Sequence, residues 1–220
     1  MSLVDQIRSA LREAADPSLA PGQQAYMKSA MPFLGVRVPA VRALVRAAGR
    51  DGADAAELIG TALALWREAE FREERYAALA VMALRPLRGD ASLLPVHEEM
   101  IRTGAWWDLV DEAAGRLRET FDADPALMAV EMRIWSDDED MWVRRAAIIS
   151  QLGRRAATDL DVLEYAILAN AHEREFFLRK AIGWALREYG KHDPDWVRGF
   201  VARHPELSAL SQREALKNLG

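Results

Sequence analysis

The sequence predicts an all-α protein, and three observations lead to this fold class. Apolar residues recur at spacings of three and four along most of the chain, which is typical of helices with one buried face. Alanine, leucine, arginine and glutamate, all strong helix formers, dominate these stretches. No segment alternates apolar and polar residues as a half-buried strand would. We therefore expect roughly a dozen helices in a single domain covering residues 1–220.

Short polar or Gly/Pro-rich stretches mark the ends of the predicted helices. The first helix is the amphipathic stretch at residues 1–15, which has none of the features of a signal peptide. The breaks that follow, in chain order, are DPSLAPG (16–22), GRDGAD (49–54), RPLRGD (85–90), DADP (122–125), SDDED (136–140) and GKHDPD (190–195). We expect the acids of SDDED to be solvated helix caps and loop residues.

Composition excludes several classes of site. The chain has no Cys, so disulfides, thiolate metal sites and a thiol nucleophile are impossible. Its four histidines lie far apart and lack metal-ligand spacing, so we expect neither a metal nor a cofactor. No apolar run approaches the roughly 20 residues that span a bilayer. We expect a soluble monomer in a bacterial cytoplasm. The net charge of −5 argues mildly against nucleic acid, although the basic residues are mostly Arg, which suits phosphate contacts.

An internal repeat refines the fold class. Segments EFREERYAALAVMAL (70–84), DMWVRRAAIISQL (140–152) and EFFLRKAIGWAL (175–186) share an acid, a bulky residue, basic residues and an apolar run. They recur at multiples of about 35 residues, with the missing copy near residue 110. An all-helical repeat of this length predicts a HEAT-like solenoid, an α-α superhelix of stacked helix pairs. The positions that the repeat makes equivalent should form a row on its concave surface, and these are Tyr76, Asp111, Arg145 and Lys180.

The stretch TGAWWDLVDE (103–112) carries the most unusual chemistry in the chain. On a helix beginning near Gly104, Trp106 belongs to the apolar stripe, whereas Trp107 and Asp111 are one turn apart at its edge. Spacing alone leaves two interpretations open. Trp107 packs against the neighbouring repeat with Asp111 simply solvated, or the two belong to a binding site.

The repeat favours the binding site. Asp111 shares its row with Arg145 and Lys180, and Trp184 lies one turn beyond Lys180. Indole faces attract cations, a carboxylate adds a full negative charge, and Arg and Lys hold phosphates. A row of this kind suits an aromatic, cationic ligand joined to phosphodiesters.

Four segments resemble the AlkD-like DNA alkylation repair glycosylases. They are YMKSAMPFLGVRVPAVR (26–42), WWDLVD (106–111), WVRRAAI (142–148) and FFLRKAIGWALREYGK (176–191), in the family's order and spread over nearly the whole chain. The resemblance implies a HEAT-like superhelix that binds duplex DNA on its concave face. It also implies excision of N3- or N7-alkylated purines, such as 3-methyladenine and 7-methylguanine, in base excision repair without a cofactor.

The same resemblance implies roles for individual residues. Asp111 would be the catalytic carboxylate, Trp107 and Trp184 the aromatic walls of the lesion site, and Arg145 the basic residue that completes it. Spacing to Trp184 favours Arg145 over Arg144, which is left as a DNA contact. The further DNA-binding residues expected are Tyr26, Lys28, Phe176, Phe177, Lys180 and Arg187. Phe176 and Phe177 fit the core equally well, and Arg50, Arg154 and Arg155 are equally phosphate contacts or ordinary surface charges.

Two other functions remain open from the sequence. A non-catalytic HEAT-like module that binds DNA structures or a protein partner is the main alternative, because fold alone does not give activity. A peptide-binding adaptor would agree with the acidic pI. Neither needs Trp107, Asp111, Arg145 and Trp184 together, so the enzyme is favoured. Trp66, Trp135 and Trp196 lie on apolar stripes and are expected in the core.

Overall fold

A computed structural model describes residues 1–49, 52–217 and 219, and the predicted all-α class is confirmed over these residues. Thirteen α-helices and no strands are present in this part of the chain. None of its helices is both long and apolar enough to cross a membrane. Arg50, one of the possible phosphate contacts, lies outside the described residues. The chain divides into two compact units, Met1–Arg88 and Gly89–Gly220.

The first unit contains five α-helices joined by short turns. They are α1 (Leu3–Glu13), α2 (Ala20–Met27), α3 (Val38–Ala48), α4 (Ala55–Arg67) and α5 (Arg72–Met82). Helices α1, α3 and α4 all pack against α5, which is buried along almost its whole length. The buried carboxylate of Glu73 accepts hydrogen bonds from the backbone N–H groups of residues 34–36, so it fixes the loop before α3 onto α5. Trp66 is buried in this core, as expected.

The second unit contains the remaining eight α-helices. They are α6 (Leu94–Gly104), α7 (Trp107–Ala123), α8 (Pro125–Ser136), α9 (Met141–Ile149), α10 (Leu160–Ala169), α11 (Phe176–Gly190), α12 (Pro194–Arg203) and α13 (Ala209–Ala215). Helices α7, α9, α11 and α13 pack one against the next. Helices α8 and α10 contact each other, and both also contact α9. The predicted repeat copies coincide with α5, α7, α9 and α11, every second helix, as a repeat of helix pairs requires.

The start of α7 differs from the prediction in a way that matters for the site. Gly104 is the last residue of α6, and Ala105 has a left-handed backbone conformation (φ 42°) that ends that helix. Trp106 is therefore an extended N-cap residue and not part of the apolar stripe of α7. The stripe itself, Val110, Ala113 and Leu117, is fully buried as expected. The Trp106 ring packs against the rings of Trp142 and Phe177.

Candidate active site

An ion pair between Asp111 and Arg145 forms the centre of the candidate site. Asp111 lies on the second turn of α7 and Arg145 on the second turn of α9. The Arg145 guanidinium donates from Nε to Oδ1 at 2.7 Å and from Nη2 to Oδ2 at 2.8 Å. This two-point geometry fixes the plane of the carboxylate, which a single contact would not do. Of the two adjacent arginines in α9, Arg145 is the one that binds Asp111.

The other side of the guanidinium is held by α11. Arg145 Nη1 donates to the backbone carbonyl of Phe177 at 2.5 Å, and its Cζ lies 6.0 Å from the centre of the Phe177 ring. The Arg145 side chain is only 6% exposed, whereas that of Asp111 is 16% exposed. The arginine is thus a buried link among three helices, and the carboxylate is the partner that keeps an accessible edge.

An aromatic cluster of Trp106, Trp142, Phe176 and Phe177 adjoins this link through Phe177. The Phe177 ring lies 5.0 Å from that of Trp142, 5.5 Å from that of Trp106 and 5.5 Å from that of Phe176, measured between ring centres. These separations are typical of edge-to-face and tilted aromatic pairs. Trp142 is buried and Phe176 is 57% exposed, so the cluster runs from the core to the surface. It places apolar, low-dielectric surroundings beside the ion pair.

Burial raises the pKa of Asp111, and the hydrogen bonds and positive charge of Arg145 oppose this rise. Asp108, on the same helix, adds a smaller contribution in the raising direction. The carboxylate therefore depends on Arg145 to stay ionised in a partly desolvated position. An ionised carboxylate with an open edge can accept a hydrogen bond from water or lie against a developing positive charge.

The two tryptophans expected to line the site occupy separate helices. Trp107 is the first residue of α7, one turn before Asp111, and is partly exposed. Trp184 is also partly exposed and lies seven residues after Phe177 on α11. Two turns of helix separate these residues by about 10 Å, on the same face of α11.

Three of the basic residues expected to contact DNA, Arg144, Lys180 and Arg187, have partners within the protein. Arg144 donates from Nη1 to the carbonyls of Asp138 at 2.7 Å and Glu139 at 3.0 Å, which holds the turn before α9. Lys180 and Arg187 both pair with Glu214 of α13, at 3.2 and 2.5 Å. Lys180 therefore belongs to the repeat row by position, but its side chain turns toward the next helix instead of toward Arg145.

Tyr26 and Lys28 lie in the first unit, at the end of α2. Tyr26 is 72% exposed. Lys28 is the C-cap of α2 and has a left-handed backbone conformation (φ 50°). Tyr76, the first member of the predicted row, is in the same unit and is buried on α5.

Two features of the site did not follow from the sequence. The carbonyl of Phe177 as the third anchor of Arg145 has no sequence signal, since every residue carries a carbonyl. The contact of Trp106 and Trp142 with Phe177 was not predicted either. The sequence did carry a signal for it, because the two tryptophans precede Asp111 and Arg145, both repeat positions, by five and three residues. Among the described residues, no group of three or more acidic or histidine side chains is placed to hold a metal ion.

Comparison with known proteins agrees with this arrangement. Residues 7–219 match the model of a family described as DNA alkylation repair enzyme. A solved structure described as a predicted DNA alkylation repair enzyme from Enterococcus faecalis is similar over 94% of this chain and 97% of its own, with a TM-score of 0.85 and 28% sequence identity. No protein with a curated functional description matches the sequence.

Proposed function

The chain belongs to the DNA alkylation repair enzyme family, and we propose that it is a DNA glycosylase that removes N3- and N7-alkylated purines from duplex DNA. The observation that carries the proposal is the Asp111 carboxylate, fixed at two points by Arg145 and left with an open edge.

The chemistry suits a single carboxylate. Alkylation at N3 or N7 gives the purine a positive charge, so the electrons of the N-glycosidic bond leave with a base that becomes neutral. No general acid is required to protonate the leaving group. The sugar develops oxocarbenium character as this bond stretches, and a nearby carboxylate stabilises that charge most strongly in surroundings of low dielectric.

Water completes the reaction. Each oxygen of Asp111 accepts one hydrogen bond from Arg145 and has a further lone pair for a water molecule. That water forms the new C–O bond at the anomeric carbon and gives its proton to the carboxylate or to solvent. The role of Arg145 is to hold the orientation and ionised state of Asp111 throughout.

Aromatic faces supply the selectivity for a cationic base. Trp107 and Trp184 are both partly exposed on the helices that carry the site. Attraction between an indole face and a cation contributes about 0.5–2 kcal/mol per good contact, and an undamaged neutral purine lacks this term. Discrimination between damaged and normal bases then comes from charge on the base as well as from the weaker bond.

The test is release of the modified base by wild-type protein and by Asp111→Asn. Oligonucleotide duplexes carrying 7-methylguanine, 3-methyladenine or a bulky pyridyl adduct are incubated with excess protein, and released base is quantified. We expect Asp111→Asn to lower the single-turnover rate at least tenfold and to leave DNA affinity within severalfold, because the variant keeps the shape but loses the charge.

Asp122→Asn is the control on the same helix, because its side chain is 62% exposed and its ion pair is with Arg154 and not with Arg145. It should release base at the wild-type rate. An Asp111→Asn variant that retains more than a tenth of that rate would contradict the assignment. Duplex binding by the wild type without any base release would instead favour the non-catalytic DNA-binding module.

A further inference from the structure

An open basic cleft lies at the C-terminal end of α11, between the start of α12 and the segment after α13. Its volume is about 500 Å³. Four of its lining residues are cationic, Arg187, Lys191, Arg198 and Lys217, and the others are glycine, proline and leucine residues. Among the residues that the structure describes, none that lines the cleft carries a carboxylate side chain. The wall therefore presents positive charge and backbone on a protein whose net charge is −5.

Carboxylates outside the wall hold three of these four cations. Ion pairs of this kind restrict long side chains, which lowers the conformational entropy lost on binding, and they also neutralise part of the charge, which weakens the attraction for a ligand. Lys217 has no ion-pair partner among the described residues. Arg198 donates a hydrogen bond to the carbonyl of Leu219 in addition to its ion pair. The pairs are Arg187 with Glu214 at 2.5 Å, Lys191 with Glu188 at 2.5 Å and Arg198 with Asp195 at 2.6 Å.

The cleft and the candidate active site lie toward opposite ends of α11. Phe177, Trp184 and Lys191 are spaced seven residues apart, so they fall on one face of the helix. Lys191, directly after the helix, is about 10 Å beyond Trp184. Lys191 is about 20 Å beyond Phe177, whose carbonyl holds Arg145, and this distance equals about six steps of 3.4 Å, the advance per nucleotide along the duplex axis.

We propose that this cleft binds phosphate groups of the DNA backbone several nucleotides from the lesion, through Arg198, Lys217 and Lys191. The chemistry required is a phosphate oxyanion, and the identification of DNA as its source rests on the proposed function. The cleft is open and bordered by cations, unlike the mostly apolar cavities that take small organic ligands. A phosphodiester that passes along the surface fits such a cleft without having to be enclosed.

Binding of an undamaged duplex at several salt concentrations tests the cleft separately from excision. We expect the double variant Arg198→Ala/Lys217→Ala to bind more weakly, with a salt dependence less steep by about one to two units of slope, since each lost phosphate contact removes about 0.9. Arg213→Ala is the control, because this exposed arginine of α13 does not line the cleft. Equal slopes for the double variant and the control would overturn the proposal.

Duplexes with single uncharged methylphosphonate linkages locate the contact. Wild-type protein should lose affinity when one of the linkages several nucleotides from the lesion is replaced, and the double variant should be insensitive at that position. The proposal is wrong if both proteins respond alike at every linkage.

Inorganic phosphate, titrated by calorimetry, distinguishes a free anion from DNA. We expect no cleft-dependent binding below about 1 mM phosphate, because one small anion engages only part of a site built for a polyanion. Tighter phosphate binding that the double variant loses, with unchanged DNA slopes, would assign the cleft to a free anion and overturn the DNA source. Cleft-dependent DNA binding without base release would instead retain this inference and remove the proposed function.

Discussion

Two opposing influences act on the charge of the Asp111 carboxylate. Burial disfavours its charge, and the two hydrogen bonds from Arg145 restore it. The arginine is enclosed and the acid is partly exposed. The two-point ion pair, together with the desolvation that raises the pKa of Asp111, is the residue-scale reason to assign chemistry to Asp111 and positioning to Arg145.

The raised pKa of Asp111 gives a prediction for the pH profile of excision. The reaction requires the ionised carboxylate, so the rate should fall on acidification at a pH above 3.8, the ordinary value for Asp. Replacing Arg145 with Gln removes the influence that lowers this pKa, so the acidic limb should move to still higher pH. Single-turnover base release measured between about pH 4 and 8 gives the acidic limb of the profile for the wild type and for Arg145→Gln.

Acid also hydrolyses alkylated DNA without protein, and the Asp111→Asn variant measures that background. A wild-type rate that stays level down to about pH 4 after this correction would show that protonation of Asp111 does not limit excision. Limbs at the same pH in the wild type and in Arg145→Gln would contradict the positioning role of Arg145.

At the scale of elements, the contact between α9 and α11 determines where Arg145 lies. Trp142 is buried on the first turn of α9, and its ring packs against Phe177, whose carbonyl accepts from Arg145. Removing the indole would leave a cavity beneath that carbonyl and allow the start of α11 to shift. The site is therefore sensitive to a residue that has no place in the chemistry.

We expect Trp142→Ala to lower the free energy of unfolding by about 3–5 kcal/mol and to slow excision at temperatures where it is still folded. Trp142→Phe, which retains an aromatic ring, should recover most of the rate. Trp135→Ala is a matched control, since Trp135 is similarly buried on α8 and contacts none of the cluster rings. Equal loss of excision in Trp135→Ala and Trp142→Ala would mean that stability alone, not the α9–α11 contact, explains the effect.

Helix α6 carries a buried histidine that makes stability depend on pH. Desolvation, with a smaller contribution from Arg116, lowers the pKa of His97 from 6.5 to about 4. Between these values the unfolded chain binds a proton that the folded chain excludes. The contribution of His97 to the free energy of unfolding is therefore fully present above pH 6.5 and is lost progressively as the pH falls toward 4. The total is about 3 kcal/mol, from about 1.4 kcal/mol per pH unit.

His97→Gln should remove this component of the acid sensitivity. Denaturant unfolding at neutral and acidic pH measures the difference for each protein. His172→Gln, at an exposed histidine, is the control and should retain the wild-type pH dependence. If His97→Gln loses as much stability as the wild type between pH 6.5 and 4, the acid sensitivity comes from other groups.

For the molecule as a whole, periodicity was sufficient to predict the helical class and the repeat. A pattern of apolar residues reports which face of a helix is buried, so α7, α9 and α11 could be placed in equivalent positions. The same repeat brought Asp111 and Arg145 into neighbouring positions, and the structure joins them by hydrogen bonds. Trp135 was expected in the core and is buried there.

Long polar side chains could not be placed in this way, because their direction depends on partners that are distant in sequence. Asp138, expected to be a solvated acid, is 19% exposed and binds Arg102 of α6. Asp140 in the same acidic run caps α9, as expected. Lys180 and Arg187 turn to Glu214, a residue that no sequence motif had connected to them. Repeat patterns locate backbones, and ion pairs then decide where the charges point.

These internal pairs explain how a protein with a net charge of −5 could bind DNA. Helix α11 carries cations, but internal ion pairs neutralise part of their charge. Glu214 alone pairs with two of them, Lys180 and Arg187. Both basic partners lower the pKa of Glu214, so it is ionised at neutral pH. Glu214→Gln should therefore raise affinity for undamaged duplex DNA severalfold and make its salt dependence steeper, because Lys180 and Arg187 become available to phosphates.

Fluorescence anisotropy with a labelled duplex across a salt series measures both effects. Glu164→Gln, which removes one charge from α10 but none of the ion-pair partners shown for Lys180 and Arg187, controls for the change in net charge alone. An equal gain in the two variants would mean that total charge sets DNA affinity. A gain confined to Glu214→Gln would mean that the local release of two cations does so, and that α13 limits how strongly α11 holds DNA.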